Sequence, residues 1–125
     1  MAYKLLINGE LVDAAEGASE DILGPDDEKV LARVPTGSYE DVDRAAKAAA
    51  AAQEAWAEMP VSDRARALLK LADRLEEHTE ELARLESENV GKPLALARWE
   101  VPFMADNLRF FAGACRCMEG KPANC

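Results

Sequence analysis

Three cysteines near the end of the sequence are the first residues whose chemistry has to be considered. Cys115, Cys117 and Cys125 all lie within the last eleven positions. An odd number of cysteines in one short stretch is a poor basis for a disulfide framework, and their spacing does not match a zinc site. Cys115 and Cys117 are two residues apart on a predicted helix, so they would point to different faces. We therefore predict reduced thiols and expect a cytoplasmic protein.

Acid–base and phosphate chemistry have few candidates in the sequence. His78 is the single histidine, and no serine or cysteine nucleophile lies near it in sequence. We expect it at a helix end, close to the negative end of the helix dipole. The acidic pairs at 76–77 and 80–81 have Arg74 and Arg84 as neighbours, which predicts a solvated helix face with ion pairs. The sequence contains neither a G-x-G-x-x-G loop nor a Walker sequence.

Glu100 stands out because it follows Trp99 and precedes Val101 in an otherwise apolar segment. A carboxylate that is buried there needs a partner. The simplest interpretation is an acid in the first turn of a helix, which complements the helix dipole. The aromatic pair Phe110-Phe111 could stack on a ligand, but its helical spacing is more typical of a core.

Composition and charge exclude several classes of function. The chain has 125 residues, 49% of them hydrophobic, which suits one modest globular domain and is too apolar for a disordered acidic tail. Its 15 basic and 24 acidic residues give a net charge of −9. Nucleic acids and anionic membrane surfaces both require a basic face, so neither is an expected partner. No apolar stretch approaches the roughly 20 residues that span a bilayer.

The first secondary-structure elements that could position these residues are two predicted hairpins. Asn-Gly is the strongest two-residue hairpin signal, because both residues tolerate positive φ, and the chain has Asn8-Gly9 between short apolar runs. A second turn is predicted at Gly24-Pro25-Asp26-Asp27. The predicted strands are residues 4–7, 11–12, 21–23 and 30–34.

Helical periodicity begins at Ser38, and we predict about four α-helices. Ser38 and Asp41 resemble a capping box at the start of the first helix, which Met59-Pro60 would end. Ser62 is expected to cap the second helix and Thr79 the third. Gly91 would end the third helix. The fourth is expected from about Arg98 to Met118, with Pro102 in its first turn.

The residues alone therefore predict a small α+β chain without a complete active site. We divide it into three parts: a β-hairpin region, 1–37, a helical region of an incomplete domain, 38–119, and a truncated loop, 120–125.

The order of motifs along the chain resembles the N-terminal start of the NAD(P)-dependent aldehyde dehydrogenases. No single motif is decisive, but together, in this order and spacing, they carry the resemblance over nearly the whole chain. The tail most resembles the branch that contains the γ-aminobutyraldehyde and betaine aldehyde dehydrogenases. The matching segments are 6–10 (L-I-N-G-E), 30–34, 39–45 (Y-E-D-V-D-R-A), Trp56, 64–73 (R-A-R-A-L-L-K-L-A-D), 80–83, 85–86, 91–93 (G-K-P), 106–113 (D-N-L-R-F-F-A-G) and 119–123 (E-G-K-P-A).

The resemblance implies an α/β fold of which this α+β chain is the opening part, a fragment of the cofactor-binding domain. It covers about the first quarter of the family's length. The family oxidises an aldehyde to a carboxylate with NAD or NADP, through a cysteine nucleophile and a glutamate-activated water. Those residues and the cofactor-binding glycines lie downstream of this segment. We therefore expect no catalytic and no cofactor-binding residue here, and Cys125 lies outside the family's nucleophile motif.

One further feature follows from the resemblance: a site for a monovalent cation, sodium or potassium. Its matching ligands are the backbone carbonyls of Ile22 and Leu23 and the side chain of Glu100. Many members have aspartate at the third position, so Glu100 is longer by one methylene. A further ligand comes from the part of the family that this chain does not contain. The family's Asn-Pro-x-x-Gly turn also differs here, where residues 24–28 read G-P-D-D-E.

Two functions from different classes remain open at this stage. The first is the N-terminal part of an aldehyde dehydrogenase, whose partner is the rest of the dehydrogenase chain and which is inactive alone. The second is a stand-alone helical interaction module or complementing subunit. It would associate with a partner or with itself through apolar helix faces at 42–56 and 103–118.

Overall fold

The computed structural model describes residues 3–117 as four short strands followed by four helices. This confirms the predicted fold class of β-hairpins and helices. The strands are β1 (Leu5–Ile7), β2 (Glu10–Val12), β3 (Ser19–Leu23) and β4 (Val30–Pro35). The helices are α1 (Tyr39–Glu58), α2 (Val61–Glu77), α3 (Thr79–Val90) and α4 (Leu94–Ala114). The expected helix end at Met118, the motif at 119–123, the loop at 120–125 and Cys125 lie outside the described residues.

Both predicted hairpins are present. Strands β1 and β2 pair antiparallel, with Leu5 opposite Val12. Asn8 and Gly9 have φ values of 54° and 79°, the positive pair that the sequence requires for this tight turn. Strands β3 and β4 form a separate antiparallel pair.

Helix α1 begins with the predicted capping box. The Ser38 amide donates to Asp41 Oδ2 at 3.0 Å, and the Asp41 amide lies 3.4 Å from Ser38 Oγ. Asp41 is 3% exposed, and its carboxylate also accepts a hydrogen bond from the Ala15 amide at 3.1 Å. These amide donors hold the pKa of Asp41 below its usual range. One carboxylate thus caps α1 and ties it to the loop after β2.

Two other predicted caps are wrong. Pro60 occupies the N-cap position of α2, with no side-chain cap, and Ser62 lies inside the helix. A proline is favourable before a first turn, because those amides lack intrahelical partners in any case. The Thr79 hydroxyl donates back to the Glu76 carbonyl at 2.8 Å. It therefore satisfies a carbonyl at the C-terminal end of α2 and does not cap α3. The predicted helix end at His78 is confirmed, because α2 ends at Glu77 and α3 begins at Thr79.

Helix α4 begins four residues earlier than expected, at Leu94, directly after Pro93. Pro102 therefore lies inside the helix and not in its first turn, where its missing amide removes one backbone hydrogen bond. The helix ends at Ala114, so Cys115 and Cys117 follow it instead of lying within it. Ala95 and Ala97 are strong helix formers, which explains why the helix begins before Arg98.

The described residues form two compact units. The first comprises 3–58 and 86–92, and the second comprises 59–85 and 93–117. The second unit is built on the packing of α2 against α4, through small residues. Its buried apolar residues are Ala65, Ala72, Ala83, Ala97, Val101, Ala105 and Ala112. Within 3–117, no helix has the length and apolar character needed to cross a membrane.

Candidate functional site

Ile22 and Leu23, two of the predicted cation ligands, lie at an irregularity at the end of β3. Ile22 pairs with Ala32 and Leu23 pairs with Val30, so Leu31 of β4 has no partner across the ladder. Such a bulge interrupts the ladder and bends the strand. The turn that follows closes with a hydrogen bond from the Glu28 amide to the Gly24 carbonyl at 2.9 Å. The divergent G-P-D-D-E sequence therefore still forms a turn.

Glu100, the third predicted ligand, lies in the second turn of α4 and is half-buried. The expectation of a first-turn acid is wrong, because the helix begins at Leu94 and its first turn contains no acid. Its neighbour Val101 is buried and Trp99 is exposed. Ile22 and Leu23 belong to the first unit and Glu100 to the second. The cation site stays a prediction. Among residues 3–117, no group of three His, Cys, Asp or Glu side chains is placed to hold a metal.

A cavity of about 430 Å³ lies in the first unit, beside the turn after β3. Its polar lining includes the carboxylates of Asp26, Asp27 and Glu88. Lys92 also lines it, but its ammonium pairs with Glu86 at 2.7 Å. Asp27 is likewise paired, with Lys29. The lining therefore carries no net positive charge to bind the pyrophosphate of a dinucleotide, and it does not fit NAD.

Ion pairs join α4 to the helices beside it in the second unit. The Arg98 guanidinium donates from Nε and Nη2 to the two oxygens of Glu80, both at 2.8 Å. Arg84 adds a third bond to Glu80 at 2.8 Å. Hydrogen bonding to Arg98 is the main cause that lowers the pKa of Glu80 to about 2. The predicted ion-paired acidic face is confirmed, and Arg74 pairs with Glu77 as well.

His78 takes the helix-end position that its sequence context predicts. It follows the last residue of α2, and its amide lies 3.2 Å from the Arg74 carbonyl. Its Nδ1 atom is 2.9 Å from Glu81 Oε2 at the surface. Within 3–117 no nucleophile contacts it, and we assign it a structural position. Cys115 is half-buried, Cys117 is exposed, and both are free thiols.

The aromatic residues of α4 depart most from the expectation. Their helical spacing predicts that Phe110 and Phe111 lie in a core, but they are 68% and 59% exposed. Trp99 and Phe103 are exposed as well, and their rings stack with centroids 5.3 Å apart. The helical spacing correctly placed Phe103 and Phe110 on one face. Helical spacing alone could not show that the alanines of α4, and not its aromatic residues, face α2.

Comparison with known proteins decides the family. The sequence pattern of the aldehyde dehydrogenase family matches residues 11–125. The chain belongs to the aldehyde dehydrogenase family. Aldehyde dehydrogenase 1 of Tanacetum cinerariifolium is 42% identical over 120 residues, which cover 94% of this chain and 24% of that protein.

Solved structures of aldehyde dehydrogenases contain the same fold. The NAD-dependent aldehyde dehydrogenase of Sinorhizobium meliloti superposes with a TM-score of 0.91 and 40% identity, over 97% of this chain and 25% of its own. A betaine aldehyde dehydrogenase variant of Staphylococcus aureus, solved with NAD+, superposes with a TM-score of 0.87 and 32% identity. The match covers 91% of this chain and 24% of that enzyme's chain. The hairpins and helices match the N-terminal portion of the NAD-binding domain of such enzymes. The chain spans about a quarter of the length of these aldehyde dehydrogenases.

Proposed function

We propose that this chain is the N-terminal segment of an NAD(P)-dependent aldehyde dehydrogenase, and that the complete enzyme oxidises an aldehyde to a carboxylate. The observation that carries the proposal is the superposition of nearly the whole chain on a quarter of an NAD-dependent aldehyde dehydrogenase. NAD or NADP, when bound to the complete enzyme, accepts hydride from the substrate. The chain's own contribution is structural: hairpins and helices that form part of the cofactor-binding domain.

The chain by itself is proposed to be inactive as a dehydrogenase. Its sequence contains no glycine-rich phosphate loop, and its cysteines do not lie in the family's nucleophile motif. The acidic cavity of the first unit also disfavours a dinucleotide. We expect purified 125-residue protein to form no NADH from aldehyde and NAD+. Formation of NADH above the level of a no-protein control would contradict this proposal.

An aminoaldehyde is the proposed substrate class of the complete enzyme, and the cytoplasm is its proposed location. The support for the substrate is the D-N-L-R-F-F-A-G segment, 106–113, and the likeness to a betaine aldehyde dehydrogenase at 32% identity. The complete enzyme should then show a higher kcat/KM for γ-aminobutyraldehyde or betaine aldehyde than for benzaldehyde. The reverse order would assign the enzyme to another branch of the family.

The proposed cytoplasmic location is supported by the clustered free thiols, because the cytoplasm is a reducing compartment.

A monovalent cation bound by Ile22, Leu23 and Glu100 is proposed for the complete enzyme. Backbone carbonyls and a carboxylate are the hard oxygen ligands that sodium or potassium prefers. The bulge beside Ile22 and Leu23 supports the proposal, because the ladder is irregular where the two carbonyls would have to turn toward an ion. Substitution Glu100→Gln in the complete enzyme should weaken the stabilisation that potassium chloride confers beyond that of choline chloride. Equal stabilisation by the two salts in the unsubstituted enzyme would contradict the site.

The alternative function is a short helical module that acts through a partner. The exposed apolar residues of α1, Val42 and Trp56, and the aromatic residues of α4 favour it. The mass of the native protein separates the alternatives. An antibody against residues 76–88 should detect a band near four times 13.6 kDa if the chain is part of a complete enzyme. A band at 13.6 kDa would favour the short module.

A further inference from the structure

Two free cysteines follow α4 directly. Cys115 comes immediately after the last residue of the helix, and Cys117 lies two positions further along the chain. Cys115 is half-buried, Cys117 is exposed, and neither forms a disulfide. The proposed function uses neither of them, because the nucleophile of the family lies downstream of this segment. We call Cys115 and Cys117 the thiol pair.

The backbone of the thiol pair extends the helix by one tight turn. The Cys115 amide donates to the Phe111 carbonyl at 3.0 Å. The Cys117 amide donates to the Ala114 carbonyl at 2.9 Å. Helical geometry puts the Cα atoms of residues two apart about 5.4 Å from each other. This separation lies within the range of about 4.4–6.8 Å between the Cα atoms of a disulfide.

The same turn keeps the two sulfurs apart while it is intact. Residues two apart in a helical turn do not face each other, so the two side chains leave the backbone in different directions. A disulfide requires both Cβ atoms to turn toward each other. The bond between the Cys117 amide and the Ala114 carbonyl must therefore open first. The opening is local, because the buried residues of α4, of which Ala112 is the last, all precede this turn.

The different exposure of the two thiols gives them different roles. A dissolved reactant reaches the exposed Cys117 first, and the half-buried Cys115 is next to it in space. Redox-sensitive cysteines are typically accessible and have a second cysteine beside them that resolves the first product. Arg116 between them is exposed, so it brings positive charge to the site in a chain with a net charge of −9. A disulfide that carries carboxylates is attracted to that charge.

Metal binding is the other chemistry of neighbouring thiols, and the surroundings of the thiol pair do not favour it. A structural zinc site has four protein ligands. Within the part of the chain that the structure describes, 3–117, no group of three His, Cys, Asp or Glu side chains could hold a metal ion. Oxidation requires only the two thiols.

We propose that the thiol pair is a reversible redox site that reacts with small disulfides bearing carboxylates, such as glutathione disulfide. The Cys117 thiolate attacks one sulfur of the small disulfide, which forms a mixed disulfide and releases one small thiolate. The Cys115 thiolate then attacks Cys117 Sγ and releases the second small thiolate, which leaves a disulfide between Cys115 and Cys117.

The exchange is balanced in electrons and protons. The thiol pair loses two electrons and two protons, and the small disulfide takes them up to become two thiols. Exposed or strained disulfides are readily reduced again, so the pair is reduced at rest in a reducing compartment and responds to oxidation. This site does not depend on dehydrogenase activity and therefore stands apart from the proposed function.

The test uses the 125-residue chain with the substitution Cys125→Ser, which leaves the thiol pair as its two cysteines. The chain is incubated with glutathione disulfide, its remaining thiols are alkylated, and it is digested with trypsin. Cleavage after Arg116 places the two cysteines in separate peptides, 110–116 and 117–125. We expect the loss of both alkylatable thiols, one mass that contains both peptides, and no retained glutathione. Dithiothreitol should separate the two peptides.

Two further variants in the Cys125→Ser background test the order of the steps. Cys115→Ser should keep one glutathione on Cys117, because no second thiol displaces it. Cys117→Ser should react more slowly, because its remaining thiol is half-buried. Circular dichroism establishes that each variant is folded. Faster reaction of Cys117→Ser than of Cys115→Ser would overturn the assignment of Cys117 as the attacking thiol.

Other products of the Cys125→Ser chain would overturn the redox site itself. Two retained glutathiones per chain would show that Cys115 does not resolve the mixed disulfide. A disulfide between two chains would show that the thiols react with other molecules and not with each other. Retention of both alkylatable thiols at an excess of glutathione disulfide would show that the pair does not exchange.

Discussion

Arg109 of α4 and Glu76 of α2 form an ion pair in which two nitrogens meet two oxygens. Nη1 lies 2.6 Å from Oε1 and Nη2 lies 2.7 Å from Oε2. The same guanidinium reaches Asp73 at 2.8 Å. This bonding raises the pKa of Arg109 and lowers the pKa of Glu76. The planar, forked guanidinium is specific to arginine. The contact therefore fixes the register of α4 against α2 in addition to providing electrostatic attraction between the two helices.

Arg109→Lys is expected to destabilise the chain although it keeps the charge. A lysine ammonium is a point charge and cannot make the paired bonds to Glu76 together with the bond to Asp73. Thermal unfolding followed by circular dichroism should show a Tm lower by a few degrees. Arg66→Lys is the control, because Arg66 makes one bond to Asp63 within α2. Equal Tm values for the two variants would contradict the role of the fork.

Glu80 should make the second unit sensitive to acid. Its pKa is lowered from 4.5 to about 2, so the stability it contributes is complete above pH 4.5 and is lost as the pH falls toward 2. Glu80→Gln should remove this part of the pH dependence in urea unfolding measured across that range. Glu77→Gln is the control, since Glu77 pairs with Arg74 inside one helix. An unchanged acid profile in Glu80→Gln would show that the bridge to Arg98 contributes nothing.

The sequence predicted the local features of the fold well, because short-range chemistry determines them. Asn8-Gly9 has the positive φ values that its turn demands, and the capping box of Ser38 and Asp41 is present. The sequence could not show that Asp41 would also bind the Ala15 amide, 26 positions away. That bond depends on how the first hairpin meets α1, which no local pattern encodes.

The packing of α4 was the least predictable part, for a physical reason. Hydrophobic periodicity gives the large apolar residues most weight, so it predicts that Phe110 and Phe111 lie in a core. In the structure, close approach of α2 and α4 is achieved by alanines, as at Ala72 and Ala105. Small residues that permit close packing carry little hydrophobic signal. Helix α4 begins at Leu94 and not near Arg98, so Glu100 and Pro102 lie inside it. The reason is related, because the alanines of the first turn favour a helix but add little to an apolar stripe.

Ser38→Ala should cost about 1 kcal/mol of stability, because it removes the hydroxyl of the capping box. The Ser38 hydroxyl also donates to Asp41 Oδ2 at 2.9 Å, so the carboxylate loses a partner. Ser62→Ala is the matched control: Ser62 lies inside α2, which has no side-chain cap, and we expect a change within about 0.5 kcal/mol. Urea unfolding of both variants measures the difference. A larger loss in Ser62→Ala would mean that α2 uses a serine cap after all.

Ala105→Leu tests the close packing of α2 and α4. Ala105 is fully buried, and the larger side chain must force the helices apart or leave its rotamer, at a cost of about 1–3 kcal/mol. Ala95→Leu places the same side chain at an exposed position of the same helix and should change stability by less than about 0.5 kcal/mol. Chemical denaturation of the two variants provides the comparison. A stable Ala105→Leu variant would mean that the interface has spare volume.

Gly91→Ala should destabilise the first unit, because both its backbone and its surroundings oppose a side chain. Gly91 ends α3 with a φ of 71°, and its amide donates to the Ser87 carbonyl at 3.0 Å. An added Cβ would lie 3.1 Å from Pro25 Cγ. The left-handed backbone alone costs alanine about 1–2 kcal/mol. Gly113→Ala is the opposite case, since a Cβ there meets nothing within 4 Å, and helix propensity should add about 0.5 kcal/mol of stability. Urea unfolding should therefore move the two midpoints in opposite directions, and a shift of both in the same direction would contradict the conformation assigned to Gly91.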